Sequence, residues 1–155
     1  DAHPLVPGRR LVLGGVDIPH SHGLQGHSDG DLLCHALIDA LLGAAGMGNK
    51  GELFPSSDPR YKDANSLGLL RQAYALTEAK GWKVGNVDAT IVAESPPRLS
   101  PHFSQMRENV ARALSVAVEQ VSVKATTTDF LGFVGRGEGM AALGVVLLEE
   151  RDATL

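Results

Sequence analysis

The spacing of apolar residues along the chain predicts three helices. Apolar side chains recur every three or four positions from about Asp31 to Ala45, from Ser66 to Gly81, and from about His102 to Leu114. That period places the apolar residues on one stripe of a helix. Each predicted helix therefore has a face that another element must cover.

Short runs of apolar and β-branched residues predict the strands. Residues 11–13 and 14–19 are typical of a strand, a glycine turn and a short strand. The segments 87–93, 121–125 and 140–148 are predicted to be further strands. Together with the helices they indicate an α/β (α+β) fold, with a mainly four-stranded mixed sheet and two to three helices on one face.

Composition narrows the class of protein. The chain has 155 residues, a formal charge of −4 and 43% hydrophobic residues, as expected for one domain spanning residues 1–155. The chain has no cluster of lysines and arginines, which argues against a nucleic-acid partner. Its apolar runs are too short to cross a membrane. A single cysteine excludes an internal disulfide and favours a reducing, cytoplasmic location.

The first residues already belong to a chemical motif. We therefore expect an N-terminal strand to be truncated in this sequence, and a plastid location would apply if a transit peptide had been removed. Because side chains at i and i+2 of an extended segment point to the same side, Asp1 and His3 can converge on one ion. His35 can supply a third ligand from the first helix. Two histidines and one carboxylate with an open fourth position are typical of catalytic zinc, whereas solvated loop residues are the alternative for each one alone.

The first helix carries a polar face beside its apolar stripe. Asp31, His35 and Asp39 recur at i, i+4 and i+8 and therefore share that face. We expect Asp31 or Asp39 to orient the His35 ring, because each lies one turn away. Ser28 or Asp29 is expected to cap the N-terminus of the helix.

A second candidate site follows the strand predicted at 121–125. Thr126–Thr128 and Asp129 offer three hydroxyls and a carboxylate, which can bind phosphate oxygens and a hard cation such as Mg²⁺. A glycine-rich stretch at 132–139 comes next, and its Arg136 can bind an anion through the guanidinium fork. Structural threonines and an ordinary glycine-rich hairpin loop are the alternatives.

Eight segments, in order along the chain, carry a resemblance to a known family. They are Asp1-x-His3, Gly14-Gly15-Val16, Gly26-His27-Ser28-Asp29-Gly30-Asp31, His35-Ala36-Leu37-x-Asp39-Ala40-Leu41-Leu42-Gly43-Ala44, Phe54-Pro55, Asp58-Pro59, Val123-Lys124-Ala125-Thr126-Thr127-Thr128 and Gly135-Arg136-Gly137-Glu138-Gly139. With them, nearly the whole chain resembles the 2-C-methyl-D-erythritol 2,4-cyclodiphosphate synthase family of the non-mevalonate isoprenoid pathway. No single segment is unique, but the ordered set is specific.

The resemblance implies a homotrimer whose sheets face the three-fold axis and whose active sites lie between subunits. It also implies a reaction, in which the 2-phosphate of 4-diphosphocytidyl-2-C-methyl-D-erythritol 2-phosphate attacks the β-phosphorus. CMP leaves and the 2,4-cyclodiphosphate forms. Such phosphoryl transfer needs mainly positioning and charge neutralisation. The implied partners are further copies of the chain and this cytidine diphosphate substrate, with no nucleic acid and no membrane.

Matching positions imply the ligands of two metals. Asp1, His3 and His35 should hold Zn²⁺ or another divalent transition metal, which would polarise the attacked β-phosphate. Asp129 should hold Mg²⁺, or Mn²⁺, against the α- and β-phosphates. Arg136, with Phe133 beside it, should line a cavity on the three-fold axis that can hold an isoprenoid diphosphate.

The resemblance also implies catalytic and substrate-binding roles. His27 and Thr127 should stabilise the transition state. The methylerythritol phosphate should lie against the loop at 49–58, and the cytosine against the loop at 93–99. The implied substrate-contacting residues are Asp1, His3, His27, Ser28, Asn49, Lys50, Gly51, Phe54, Pro55, Ser56, Ser57, Asp58, Ala93, Pro96, Pro97, Arg98, Leu99, Thr126, Thr127, Thr128, Asp129, Phe133 and Arg136.

The chain departs from the family pattern at four places. Asn49-Lys50 stands for Asp-Ile, Ser56-Ser57 for Asp-Thr, and Pro97-Arg98 for Pro-Lys in a loop one residue longer. Asp129 replaces a glutamate, which shortens the expected Mg²⁺ ligand by one methylene. The changes at Asn49, Ser56 and Asp129 motivate one alternative to the cyclase, a degenerate trimeric ligand-binding homologue. A second alternative is a zinc phosphohydrolase acting on a related nucleotide, which would require water to reach the β-phosphate.

Overall fold

Five strands form one mixed sheet in the computed structural model, which describes residues 1–152. They are β1 (Ala2–Pro7), β4 (His22–Leu24), β5 (Trp82–Val92), β6 (Val121–Thr126) and β7 (Gly139–Glu150). Their spatial order is β4-β1-β7-β5-β6; β5 and β6 run parallel and the other neighbours antiparallel. The two remaining strands, β2 (Leu11–Leu13) and β3 (Val16–Ile18), form a separate hairpin.

Helices cover one face of this sheet. The α-helices are α1 (Leu32–Ala44), α2 (Lys50–Leu53), α3 (Ser66–Ala79), α4 (Phe103–Ala113) and α5 (Gly132–Gly135). α1 lies across β7 and β5, α3 packs on α1 and β5, and α4 packs on α3 and β6. Within residues 1–152, no helix is both long enough and apolar enough to cross a membrane.

The other face of the sheet carries exposed apolar side chains. Along β7, Met140 and Ala142 are buried under the helices, as expected for alternate residues of a strand. Leu143, Val145 and Leu147 point the opposite way and are 63%, 68% and 55% exposed. These three large apolar residues, at alternate positions of one strand, form a contiguous exposed apolar patch on the open sheet face.

The three long helices begin and end within two residues of their predicted bounds, and the α/β class is confirmed. The strands predicted at 121–125 and 140–148 are also confirmed within two residues, whereas the strand predicted at 87–93 begins five residues earlier, at Trp82. The sheet has five strands rather than four. β1 and β4 were not anticipated as members of it, and the strands predicted at 11–13 and 14–19 form the separate β2–β3 hairpin instead. The glycine-rich stretch contains the short helix α5 rather than a plain hairpin loop.

The expected helix cap was wrong. Asp31, not Ser28 or Asp29, caps α1: its Oδ1 accepts from the amide of Cys34 at 3.1 Å. The same carboxylate accepts from the amides of Gly14 and Gly15 in the β2–β3 turn. The Asp31 side chain is fully buried between the helix and this turn, which fixes the start of α1 beside the β2–β3 hairpin.

Candidate active site

Asp1, His3 and His35 bring three ligand atoms together at the junction of β1 and α1. Asp1 Oδ2 lies 2.7 Å from His3 Nε2 and 3.1 Å from His35 Nδ1, and the two nitrogens are 3.2 Å apart. Ligands bound tetrahedrally to zinc at about 2.0–2.1 Å lie about 3.3–3.4 Å from one another. The triangle therefore has the donor set and nearly the dimensions of a three-ligand metal site.

Hydrogen bonds on the far side of each ring direct a free nitrogen into this triangle. His3 Nδ1 lies 2.7 Å from the carbonyl oxygen of Gln25, which can only accept, so Nδ1 carries the proton. His35 Nε2 faces the hydroxyls of Ser28 at 2.9 Å and Ser66 at 3.0 Å. Because Ser66 donates its own proton to an Asp29 carboxylate oxygen at 2.5 Å, it accepts from His35 Nε2–H. His3 Nε2 and His35 Nδ1 are left with lone pairs, as metal binding requires.

Burial keeps both imidazoles neutral. It lowers the pKa of His35 from 6.5 to about 4. The charge of Asp31 raises this pKa and that of His3 lowers it, both by less than burial does. Burial also lowers the pKa of His3, and the Gln25 carbonyl works against this change. Neutral imidazole is the form that binds a divalent metal, so the site is prepared for an ion at neutral pH.

The expected orienting carboxylates have other tasks. Asp31 caps α1 and contacts Cys34, whose Sγ lies 3.3 Å from Asp31 Oδ2. Burial raises the pKa of the Cys34 thiol well above its usual value, and its Sγ lies against Asp31 rather than in the triangle. Asp39 bonds to Lys50 instead. The prediction that Asp31 or Asp39 orients His35 is wrong, since Ser28 and Ser66 do so.

Lys50 joins the triangle to α2. Its Nζ lies 3.0 Å from Asp1 Oδ1 and 3.0 Å from Asp39 Oδ2, and its amide donates to Asp39 Oδ1 at 2.7 Å. The two oxygens of Asp1 are thus divided, with Oδ2 facing the imidazoles and Oδ1 facing the ammonium group. Asn49 caps α2 by accepting from the amide of Glu52.

A cavity of about 560 Å³ opens beside the triangle. His27 lies in its wall and donates Nε2–H to the carbonyl oxygen of Asp58 at 3.0 Å. The Asp58 carboxylate accepts from the Arg60 side chain and amide, and these bonds lower the pKa of Asp58. The predicted substrate-contacting residues that line the cavity are His3, His27, Ser28, Asn49, Lys50, Gly51, Phe54, Pro55, Ser56 and Ser57.

A second group of predicted residues lies at the ends of β5 and β6 and comprises Ala93, Pro96, Pro97, Arg98, Leu99, Thr126, Thr127, Thr128 and Asp129. Of the other predicted residues, Asp1 belongs to the triangle and Asp58 contacts His27. Ala2, Ala141, Val92 and Thr126 are paired in turn across four adjacent strands. Since neighbouring strands are about 4.8 Å apart, this row separates the two groups by about 14 Å in one chain. Thr127 and Asp129, which follow Thr126, are exposed and do not line the cavity.

Glu94 holds the threonine loop in place. Its Oε1 accepts from the Thr128 amide at 3.1 Å, the Thr128 hydroxyl at 3.2 Å and the Phe130 amide at 3.0 Å. These bonds, above all the one from the Phe130 amide, lower the pKa of Glu94. Asp129 has a φ of 52° and Phe130 a φ of 64°, values that residues other than glycine rarely adopt. The loop therefore depends on a carboxylate from the segment that follows β5.

The cytosine-loop candidates adjoin this group. The Ala93 amide donates to the Thr126 carbonyl at 3.0 Å. Ala93, Pro97 and Leu99 are buried, whereas Arg98 is exposed. The loop can therefore present mainly backbone groups to a ligand.

Phe133 and Arg136 occupy the exposed α5 region. Phe133 is 44% exposed and the neighbouring Phe130 and Leu131 are 78% and 73% exposed. The Arg136 guanidinium binds Glu138 at 2.9 and 3.3 Å. In this chain the Arg136 fork is paired with Glu138.

A family model described as YgbB family matches residues 1–149. The chain belongs to the YgbB family. A relative from Moorella thermoacetica named 2-C-methyl-D-erythritol 2,4-cyclodiphosphate synthase is 60% identical over 153 residues, which cover 99% of this chain and 93% of that protein. One of the same name from Pseudomonas aeruginosa is 58% identical, covering 97% and 96%.

Solved structures agree with this family membership. A synthase of the same name in a CDP-bound form is 36% identical with a TM-score of 0.87, covering 96% of each chain. The bifunctional IspDF from Campylobacter jejuni is 46% identical with a TM-score of 0.94. The chain matches it over 98% of its own length but spans only 41% of the bifunctional protein.

Three positions in this YgbB-family chain escaped the sequence analysis: the Gln25 carbonyl, the Ser66 hydroxyl and the Glu94 carboxylate. Each acts by orienting another residue. Ser66 opens α3 after the Asn65 cap, and its place in the sequence indicates only the start of a helix. Its proximity to His35, 31 positions away, arises from the packing of α3 on α1 and leaves no spacing signal.

Proposed function

We propose that the chain converts 4-diphosphocytidyl-2-C-methyl-D-erythritol 2-phosphate to 2-C-methyl-D-erythritol 2,4-cyclodiphosphate and CMP. The observation that carries the proposal is the Asp1, His3 and His35 triangle at the mouth of the cavity, in a chain of the YgbB family. The relatives named for this synthase match nearly its full length. A single cysteine fits a cytoplasmic enzyme.

The triangle is proposed to hold Zn²⁺ or a similar divalent ion through Asp1 Oδ2, His3 Nε2 and His35 Nδ1. Its nitrogen and oxygen donors and its open fourth position fit such an ion. The bound ion would supply Lewis-acid polarisation of the β-phosphate. Ser28 and Ser66 keep the His35 ring in the tautomer that this requires.

The cavity is proposed to hold the methylerythritol 2-phosphate. Asn49, Lys50 and Gly51 offer an amide, an ammonium group and backbone donors at one side, and the segment 54–58 forms the other. His27, fixed by the Asp58 carbonyl, is positioned to stabilise the transition state. The attacking phosphate is ionised at neutral pH, so these residues need only align it with the β-phosphorus.

The cytidine end is proposed to bind the second group of residues on another copy of the chain. Thr127 would contact the phosphates, Asp129 would hold Mg²⁺ or Mn²⁺, and the loop at 93–99 would hold the cytosine. A gap of about 14 Å within one chain supports this division. The apolar face of Leu143, Val145 and Leu147 supports a homotrimer in which the three sheets face one axis.

An isoprenoid diphosphate is proposed for the axis of that trimer. Phe130, Leu131 and Phe133 offer exposed apolar surface, and Arg136 offers a guanidinium group beside it. A diphosphate would have to replace Glu138 as the partner of Arg136.

One incubation tests the reaction. The purified chain is incubated with the cytidine substrate, Zn²⁺ and Mg²⁺, and the products are identified by phosphorus NMR. His35→Ala is the metal-site control. CMP and a cyclic diphosphate from wild type alone support the cyclase. CMP with a linear product would instead identify a phosphohydrolase, and an absence of turnover would favour the ligand-binding alternative.

A further inference from the structure

Lys50 places a positive charge against a carboxylate of the metal triangle. Its Nζ lies 3.0 Å from Asp1 Oδ1, and the other oxygen of the same carboxylate lies 2.7 Å from His3 Nε2. An ion held by Asp1 Oδ2 and the ammonium group would share one carboxylate.

The ammonium group is held there from two sides. Asp39 accepts from both the Lys50 amide, at 2.7 Å, and Lys50 Nζ, at 3.0 Å. The Lys50 side chain is 31% exposed, and the Asp1 side chain is 11% exposed. Electrostatic interactions at such partly buried positions are screened less than on an open surface. The charge therefore acts on the triangle from a fixed place.

The same side chain lines the cavity. One wall of the cavity thus carries a fixed cation beside the position where a metal would bind. A divalent ion is repelled by that cation, whereas an anionic phosphate is attracted by it. The two effects have opposite signs, which separates an electrostatic role from a purely structural one.

We infer that Lys50 is an affinity-setting residue, which weakens divalent-metal binding at Asp1, His3 and His35 and strengthens the binding of phosphate anions in the cavity. The claim about phosphate rests on the proposed function for the identity of the anion. The claim about metal binding does not depend on the proposed function. Lys50 acts on the metal through Asp1, so it is a positioning residue toward the ion. It acts on the phosphate directly.

The alternative is that Lys50 only ties α2 to α1 through Asp39. A structural tie predicts that its loss loosens Asp1 and weakens the binding of metal and phosphate alike. The charge-based inference predicts tighter metal binding and weaker anion binding in the same variant. The signs of the two changes decide between them.

The test compares Lys50→Met, which keeps the length and removes the charge, with Lys50→Arg, which keeps the charge. Lys80→Met, at the end of α3, is the matched control for loss of an exposed lysine. Zinc affinity is measured by competition with a chromophoric chelator, and CDP binding to the zinc-loaded protein by calorimetry. Circular dichroism verifies that each variant is folded. If Lys50→Met does not fold, Lys50→Gln serves as the second neutral variant.

We expect Lys50→Met to bind zinc about tenfold more tightly and CDP about tenfold more weakly, as for a unit charge within a few ångströms of each. Lys50→Arg and Lys80→Met should remain within about threefold of wild type in both measurements. Zinc binding that is unchanged or weaker in Lys50→Met overturns the inference, and so does unchanged CDP binding. The zinc measurement needs no turnover, so failure of the cyclase assay would not be mistaken for failure here.

Discussion

The metal-free protein should lose stability as the pH falls, and His35 should account for a defined part of the loss. Burial lowers the pKa of His35 from 6.5 to about 4 in the folded chain. Between these values the unfolded chain binds a proton that the folded chain refuses, so the stability rises with pH. The contribution of His35 is therefore complete above pH 6.5 and is lost progressively toward pH 4.

The size of the loss follows from the two pKa values. It amounts to about 2 kcal/mol at about pH 5 and about 3 kcal/mol near pH 4. His3 adds to it, because its pKa is also lowered by burial. Asp31 opposes it, because burial raises the pKa of that carboxyl. A comparison that removes only His35 is needed to isolate its share.

His35→Gln provides the comparison, because glutamine can still donate to Ser28 and Ser66 but does not titrate. Urea unfolding of both proteins is followed in a chelator, at one protomer concentration, at several pH values between about 7 and 4.5. The difference in unfolding free energy, wild type minus variant, should shrink by about 2 kcal/mol between about pH 7 and pH 5. Parallel curves over this window would refute the assignment of a buried, neutral His35.

Four further changes test other parts of the site. Ser66→Ala removes an acceptor of His35 Nε2–H and should lower zinc affinity by about 10- to 100-fold in a chelator competition; unchanged affinity would contradict the tautomer argument. Asp129→Asn should reduce Mg²⁺-dependent turnover at least about tenfold while metal analysis finds zinc content intact; loss of zinc would disprove the division into two sites. Arg136→Ala should weaken geranyl diphosphate binding about tenfold by calorimetry, and equal affinities would exclude the axial site. Val145→Lys places a charge in the proposed trimer interior and should give monomers in light scattering; a trimer in the variant, or a monomer in wild type, would refute the interface.

Two simple periodicities in the sequence select the three residues of the triangle. An extended conformation of residues 1–3 places Asp1 and His3 on one side, and the 3.6-residue period of α1 places His35 on a face other than its apolar stripe. The meeting of the three side chains depends on the packing of α1 beside the N-terminal segment. Their orienting partners do not follow from either period, because Ser66 reaches His35 through the packing of two helices. Asp31 has the right helical spacing, yet it turns to the amides of Gly14 and Gly15.

β1 escaped prediction because of its prolines. Pro4 and Pro7 each remove a backbone donor, which normally argues against a strand inside a sheet. The structure accommodates them by pairing β1 with β7 over Ala2–Pro4 and with β4 over Leu5–Pro7. Each half of the strand is paired on one side, so it needs fewer donors. Local propensity could not reveal this arrangement, since it depends on where β4 and β7 end.

The division of the site across the sheet has a similar origin. His3 lies on β1 and Thr126 on β6, and these two strands are not adjacent in the sheet. The row from Ala2 to Thr126 crosses four strands. Side chains at both ends of that row would act on one diphosphate, yet about 14 Å exceeds the reach between adjacent phosphates. The exposed apolar face at Val145 is an independent argument for the proposed assembly. A second copy of the chain accounts for both observations at once, which is why the geometry of one chain favours a site built between copies.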